Sequence, residues 1–205
     1  MARRTPKGEE RRRLLCDAAI QVLAAEGAKG LSHPKVDQQA GVARGTTSFY
    51  FRTRAALLLA TTERICELDL ADLSGVLKAD HHVPARISPL ATLIMRSAEE
   101  PGVRRTKARF ELFLQASRDP SLAAVFRENM ALFAGLLRDI VVRSQPDRDL
   151  DPAVATEQTS ATLNYVSGLY IQLVAGQQPF SDAEHLDRLL AGIVNGVAMA
   201  YQDQH

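Results

Sequence analysis

The sequence predicts an all-α fold of about nine helices, and three observations carry that prediction. Apolar residues recur at helical spacing along almost the whole chain. Few runs alternate at period two, and β-branched residues are sparse. The segments between periodic runs carry Pro, Gly or Asp, as loops between helices do.

The first element covers residues 9 to 26, with Leu14, Leu15, Ala18, Ala19, Val22 and Leu23 on one face and Gly27 as its terminator. Ser32 stands where an N-cap belongs and Pro34 falls in the following first turn, so a short helix runs to about Ala40 with Val36 and Ala40 inward. Gly41 supplies a tight turn, and a third helix spans about Arg44 to Tyr50. Thr53 caps a long fourth helix from Arg54 to about Lys78, whose apolar positions are Leu57, Leu58, Ile65, Leu68 and Leu73. After "KADHHVPARISP" come helices near 86–99, 103–117, 121–144, 152–175 and 182–202, separated by "EEPG", "RDPS", "SQPDRDLDP" and "GQQPFSD".

A chain of 205 residues is long enough for a sizeable core, as one large domain or a small one joined to a larger. Its net charge of +1 hides an asymmetry. Residues 1–60 hold eleven Lys and Arg against five Asp and Glu, a balance of +6, and the remainder balances at −5. A basic head on an acidic body points the head toward a polyanion. No apolar run approaches the ~20 residues that span a bilayer, and "MARRTPKGEERRR" lacks a signal peptide's apolar centre, so the expectation is a cytoplasmic protein with no membrane association. Cys16 and Cys66 stand fifty residues apart inside apolar patterns and read as small buried hydrophobes. Asp80, His81 and His82 form a loop cluster without further ligands, so no metal site is expected. There is no nucleophile elbow, phosphate loop, HExxH or paired CxxC; neither catalysis nor a cofactor is expected.

Two short helices joined through "QQAGVARG" make a helix-turn-helix. Its second helix must fit a major groove ~12 Å wide, and Gly45, Thr46, Thr47 and Ser48 are small enough to let the backbone approach base edges. Thr47 is read as a base contact, and Arg44 as reaching a guanine or a phosphate. The helix N-terminus also suits a phosphate. Phe49, Tyr50 and Phe51 cannot share one face. Tyr50 is assigned to a phosphate and Phe51 to packing beneath the motif. Arg52, Thr53 and Arg54 suit a phosphate clamp. In the arm, Arg3 and Arg4 read as minor-groove contacts or as part of a solvated tail, and Arg11 to Arg13 as phosphate contacts.

The span "LLCDAAIQVLAAEGAKGLSHPKVDQQAGVARGTTSFYFRTRAALLLA" resembles the DNA-binding domain of the TetR family of bacterial transcriptional regulators. The likeness covers about residues 10–60 and rests on "AAIQVLAAEG", "AGVARGT" and "FRTRAALL" at this spacing. It implies residues 1–53 as the DNA-binding domain and 54–205 as a helical ligand-binding and dimerisation domain. It implies a homodimer, paired through the helices near 152–175 and 182–202, on a palindromic operator of double-stranded DNA. Usually such a protein represses and a small-molecule effector releases it. By position, Arg44, Gly45, Thr46, Thr47, Ser48, Phe49 and Tyr50 fall on or beside the recognition helix, Lys35 on the helix before it, and Arg54 where the family commonly places a backbone-contacting lysine.

The chain also departs from the family. Ala43 replaces a common Ser ahead of the recognition helix, Phe49 lacks the usual tyrosine hydroxyl, and Asp37 follows Val36 where a small residue is common. Three placements suit Asp37: a cap, a pair with Arg44 or Lys35, or solvent. No motif defines the effector site; Arg109, Phe110, Phe113, Phe133 and Asn164 are the candidate pocket residues, as polar groups and aromatics in or beside apolar helical faces. The competing reading is a dimeric helical interaction module without specific DNA binding.

Overall fold

The computed structural model describes residues 6–79, 88–145 and 150–202. Arg3, Arg4 and the Asp80–His82 cluster lie outside them. Among the described residues there are helices and no strand. The helices are α1 (Pro6–Gly30), α2 (His33–Gln39), α3 (Thr46–Tyr50), α4 (Arg54–Ala79), α5 (Pro89–Ala98), α6 (Gly102–Ala116), α7 (Pro120–Arg143), α8 (Pro152–Val174) and α9 (Ala183–Gln202).

Helix starts follow local chemistry. A free backbone N–H at each first turn needs an acceptor, and short oxygen side chains supply it. Thr53 Oγ1 accepts from Ala56 N–H at 3.1 Å, Ser88 Oγ from Ala91 N–H at 3.2 Å, and Asp151 Oδ1 from Ala153 N–H at 2.7 Å. Asp119 and Asp182 cap α7 and α9 in the same way. Ser32 holds the extended N-cap conformation of α2, but its side chain makes no capping bond, and neither do Gly45 and Pro101 at the N-caps of α3 and α6.

The chain gathers into two compact units, Met1–Ala71 with Pro101–Glu128 and Asp72–Glu100 with Asn129–His205. These do not follow the functional division expected at Thr53, because α6 packs on α1. The first unit's core holds Leu15, Ala19, Leu23, Val36, Phe51, Leu57, Ile65 and Leu112. Leu14, expected on that apolar face, is exposed. Gly27 ends the first helical run of α1, as expected, at φ 70° and ψ −179°, and a short helical stretch follows it to Gly30. The break frees the Ala28 N–H, which donates to a Glu111 carboxylate oxygen of α6 at 2.8 Å. Ala28's carbonyl accepts from Arg54 at 2.5 Å. Glu111→Ala leaves that N–H without its acceptor. The expected cost is about 1–3 kcal/mol of the unit's unfolding free energy, read from urea denaturation; a loss within ~0.3 kcal/mol contradicts the role assigned here to Glu111.

Both thiols belong to this unit. Cys16 is buried and Cys66 half-buried, and burial pushes each up to about 12. They stay protonated and weakly nucleophilic at neutral pH.

In the second unit α8 packs on α9, and α5 lies against both. Ile94, Leu169, Leu173, Phe180, Leu186 and Leu190 form its main cluster. Gln158 is fully buried yet satisfied. Its amide exchanges hydrogen bonds with Gln145 at 3.1 and 3.2 Å and donates to the Val194 carbonyl at 2.8 Å. Polar groups buried this way hold α8 and α9 in one register, because a slip leaves them unpaired. No helix among the described residues is long and apolar enough to cross a membrane.

Candidate nucleic-acid interface

Five residues make too short a helix to stand alone. The surrounding unit therefore holds α3 at both ends. At its start Gly45 takes φ 88°, a left-handed conformation that suits glycine. This explains why α3 begins at Thr46, and why Arg44, expected within it, lies in the turn before. Gly41, at φ 63°, makes the other sharp turn between α2 and α3.

Asp37 resolves the three placements considered for it. It is 2% exposed and sits beneath the start of α3. One carboxylate oxygen accepts from the Thr47 N–H at 2.7 Å and the Thr47 hydroxyl at 2.6 Å; the other accepts from the Gly45 N–H at 2.8 Å. Burial alone raises this carboxyl's pKa, but the bonds from Thr47 and Gly45 outweigh it and hold the group below the usual carboxylate range. The stability it contributes is present above the unfolded value of ~3.9 and is lost as pH falls through the lowered folded value.

At the other end of α3, Arg12 donates to the Tyr50 carbonyl at 2.9 Å and its guanidinium lies 4.3 Å from the Phe51 ring centre. His33 Nε2 donates to the Phe51 carbonyl at 2.7 Å. Phe51, assigned to packing, is 1% exposed and does pack there. Arg12, expected at a phosphate, is instead part of this brace.

The face left open carries Arg44, Gly45, Ser48 and Phe49, all exposed, with Thr46 and Tyr50 half-exposed. Phe49 is 79% exposed and meets Tyr50 edge-on, ring centres 5.3 Å apart. Thr47 corrects the sequence reading. It is 0% exposed, faces inward and spends its hydroxyl on Asp37, so it positions the helix and cannot read a base. The α3 start is corrected too: Gly45 and Thr47 donate to Asp37 and Thr46 donates to the Ala43 carbonyl at 3.1 Å, so these donors are already taken. Arg54, an exposed residue, donates from its guanidinium to the Ala28 and Leu31 carbonyls. Lys35 pairs with Glu26, both half-exposed.

The five pocket candidates do not come together within either unit. Arg109, Phe110 and Phe113 lie on α6 in the first, Phe133 and Asn164 on α7 and α8 in the second. Arg109 donates to Asp69 at 2.5 Å, and Arg105 holds the other oxygen of that carboxylate at 2.9 Å. Phe113 is 58% exposed, and its ring meets that of Phe126 in a T-shaped contact. Asn164 is exposed, and Phe110 and Phe133 are half-buried. Sequence reading left Asp37 open between a cap and two other placements, and missed the His33 brace and Glu111's bond, because each joins residues distant along the chain. No group of three metal-ligating side chains occurs among the described residues.

A family model described as "Bacterial regulatory proteins, tetR family" matches residues 15–61. A second, "Tetracyclin repressor-like, C-terminal domain", matches residues 85–196. The chain belongs to the TetR family. It is thus a TetR-family transcriptional regulator, with a helix-turn-helix DNA-binding segment and a helical C-terminal domain of the family type. No curated protein matches it. Solved structures share the TetR fold along the chain. A TetR-family regulator from Rhodococcus sp. is 22% identical, covering 92% of this chain and 98% of that one, with a TM-score of 0.69. A regulator from Saccharomonospora viridis, solved with choline, is 15% identical over 91% and 96%, with a TM-score of 0.69. The multidrug binding protein EbrR, solved with imidazole, is 26% identical over 90% and 89%, with a TM-score of 0.59.

Proposed function

We propose that this TetR-family regulator is a cytoplasmic homodimeric repressor that reads a palindromic operator through α3 and leaves it when a small organic molecule binds the helical body. The observation that supports this best is the face of α3. Ser48, Phe49 and Tyr50 stand outward on a helix anchored from behind at both ends, with Arg44 exposed in the turn before it. A major groove accepts such a helix, and the head's charge of +6 attracts the duplex. Lys35 adds to the rim, since an exposed ion pair is worth only ~0–1 kcal/mol and yields to a phosphate.

Residues 1–53 are the DNA-binding part in this reading and 54–205 the effector and dimer part. Pairing runs through α8 and α9, whose exposed positions include Asn164, Ser167 and Ile171 on one and Gly192, Gly196 and Met199 on the other. A twofold dimer sets two α3 helices about 34–36 Å apart, one turn of DNA. The solved relatives that carry choline and imidazole make a small organic effector the natural class. Arg109, Phe110, Phe113, Phe133 and Asn164 remain its candidate contacts. Coupling between such sites is typically ~1–3 kcal/mol, so the effector lowers operator affinity about 5–150-fold.

The test is fluorescence anisotropy on duplexes selected by the protein from random sequence, across a salt series. The expected result is a palindromic selected site, bound by two chains, with affinity falling steeply as salt rises. Failure to enrich any sequence, with a folded dimer in hand, favours the interaction module instead.

A further inference from the structure

We propose that Asp37 is a positioning residue for DNA recognition: from inside the unit it sets the angle at which α3 is presented. This rests on the reading of α3 as the recognition helix. An α-helix leaves its first N–H groups without partners, and a short one gains little from its own bonds. At the start of α3 three of these groups have named acceptors. Asp37 takes Gly45 N–H, Thr47 N–H and the Thr47 hydroxyl, and the Ala43 carbonyl takes Thr46 N–H.

Ala43 has no side-chain acceptor, so no loop side chain at that position shares the task. The acceptor comes from α2, whose Val36 is fixed in the core. The direction of α3 is thereby referred to α2 rather than to the turn. The carboxylate also fixes the left-handed Gly45, from which the chain swings into the helix. An acid inside a basic head works against phosphate attraction, so a purely electrostatic design would exclude it. Its place is explained by geometry: it holds Arg44 and Phe49 at a set distance on either side of the bound Gly45 and Thr47.

Asp37→Asn tests this with little change of shape. The amide oxygen still accepts from Thr47, while the amide nitrogen turns a donor toward the Gly45 N–H. Amide hydrogen exchange at Gly45 is expected to speed up in the free protein, while exchange in α8 and α9 stays as in wild type. Affinity for the duplex selected by wild type is expected to fall about fivefold, the scale of a lost cap. Affinity for a scrambled duplex of equal length is expected to hold or rise slightly, since a negative charge is removed. A merely structural role weakens both duplexes alike. In Asp37→Ala, adding Ala43→Ser is expected to recover at least half of the lost discrimination, because a hydroxyl two residues before Gly45 accepts its N–H.

Unchanged discrimination in Asp37→Asn overturns the proposal, as does equal loss on both duplexes. If wild type itself discriminates no sequence, the recognition-helix reading falls and the DNA role of Asp37 with it. Gly45 exchange in the free protein then still shows whether the cap exists.

Discussion

Phe51→Ala is expected to cost the first unit about 3–5 kcal/mol, the range for removing a buried aromatic ring. Domains of this size have ~5–15 kcal/mol in all, so the head is left marginal. The ring is 1% exposed among Leu15, Val36 and Leu57 of the same cluster. It also carries Arg12 on its face at 4.3 Å, and a cation so placed adds about 0.5–2 kcal/mol. Without the ring Arg12 loses its platform and its bond to the Tyr50 carbonyl loosens, so the end of α3 frays. Urea denaturation followed by amide exchange in α1 and α2 measures the loss directly. A destabilisation under ~1 kcal/mol means that Phe51 is not the support it is taken to be. Operator binding by the variant should weaken in step with the folded fraction of the head, whereas exchange in α8 and α9 stays slow.

The contrast between Phe51 and Thr47 shows what a sequence makes legible. Long helices were readable because their signals are repeated. α4 has many apolar positions that agree with one another, and Pro with Ser or Asp marks the start of α5, α7 and α8. Three consecutive aromatics cannot share one face of a helix, and Tyr50 carries the hydroxyl, which is why Phe51 could be assigned to packing. Thr47 sits in five residues of helix, where no period can be established and a small hydroxyl fits inside or outside equally well. Its direction is set by Asp37, ten positions earlier in another helix, and only the fold brings them together. The intramolecular partners of Arg54 and Lys35 were hidden for the same reason: Ala28 and Leu31 for one and Glu26 for the other lie earlier in the chain. The pocket candidates rest on a weaker signal. Polar and aromatic residues beside apolar faces mark internal ion pairs as readily as ligand walls, and Arg109 proves to be held by Asp69.

Phe49→Ala separates recognition from stability, because here the two effects have opposite sizes. At 79% exposure the ring contributes little to the core, and only its edge contact with Tyr50 is lost. Unfolding free energy should stay within ~0.5 kcal/mol of wild type. On DNA the expectation reverses. A phenyl ring set beside Ser48 on the open face matches the apolar contact that a thymine methyl offers in the major groove. A lost base contact is worth about 1–3 kcal/mol, so affinity for the selected duplex should drop by roughly 5–150-fold. The salt dependence should not change, because Phe49 neutralises no phosphate. Arg44→Ala is the comparator: if its guanidinium meets a phosphate, the slope of log affinity against log salt flattens by about 0.9 and binding to all sequences weakens. Replacing thymine by uracil at each selected position in turn removes one methyl at a time. The position that Phe49 touches should weaken wild type and leave Phe49→Ala indifferent. If Phe49→Ala binds the selected duplex like wild type, the exposed ring lies off the groove, and α3 must enter DNA along another edge.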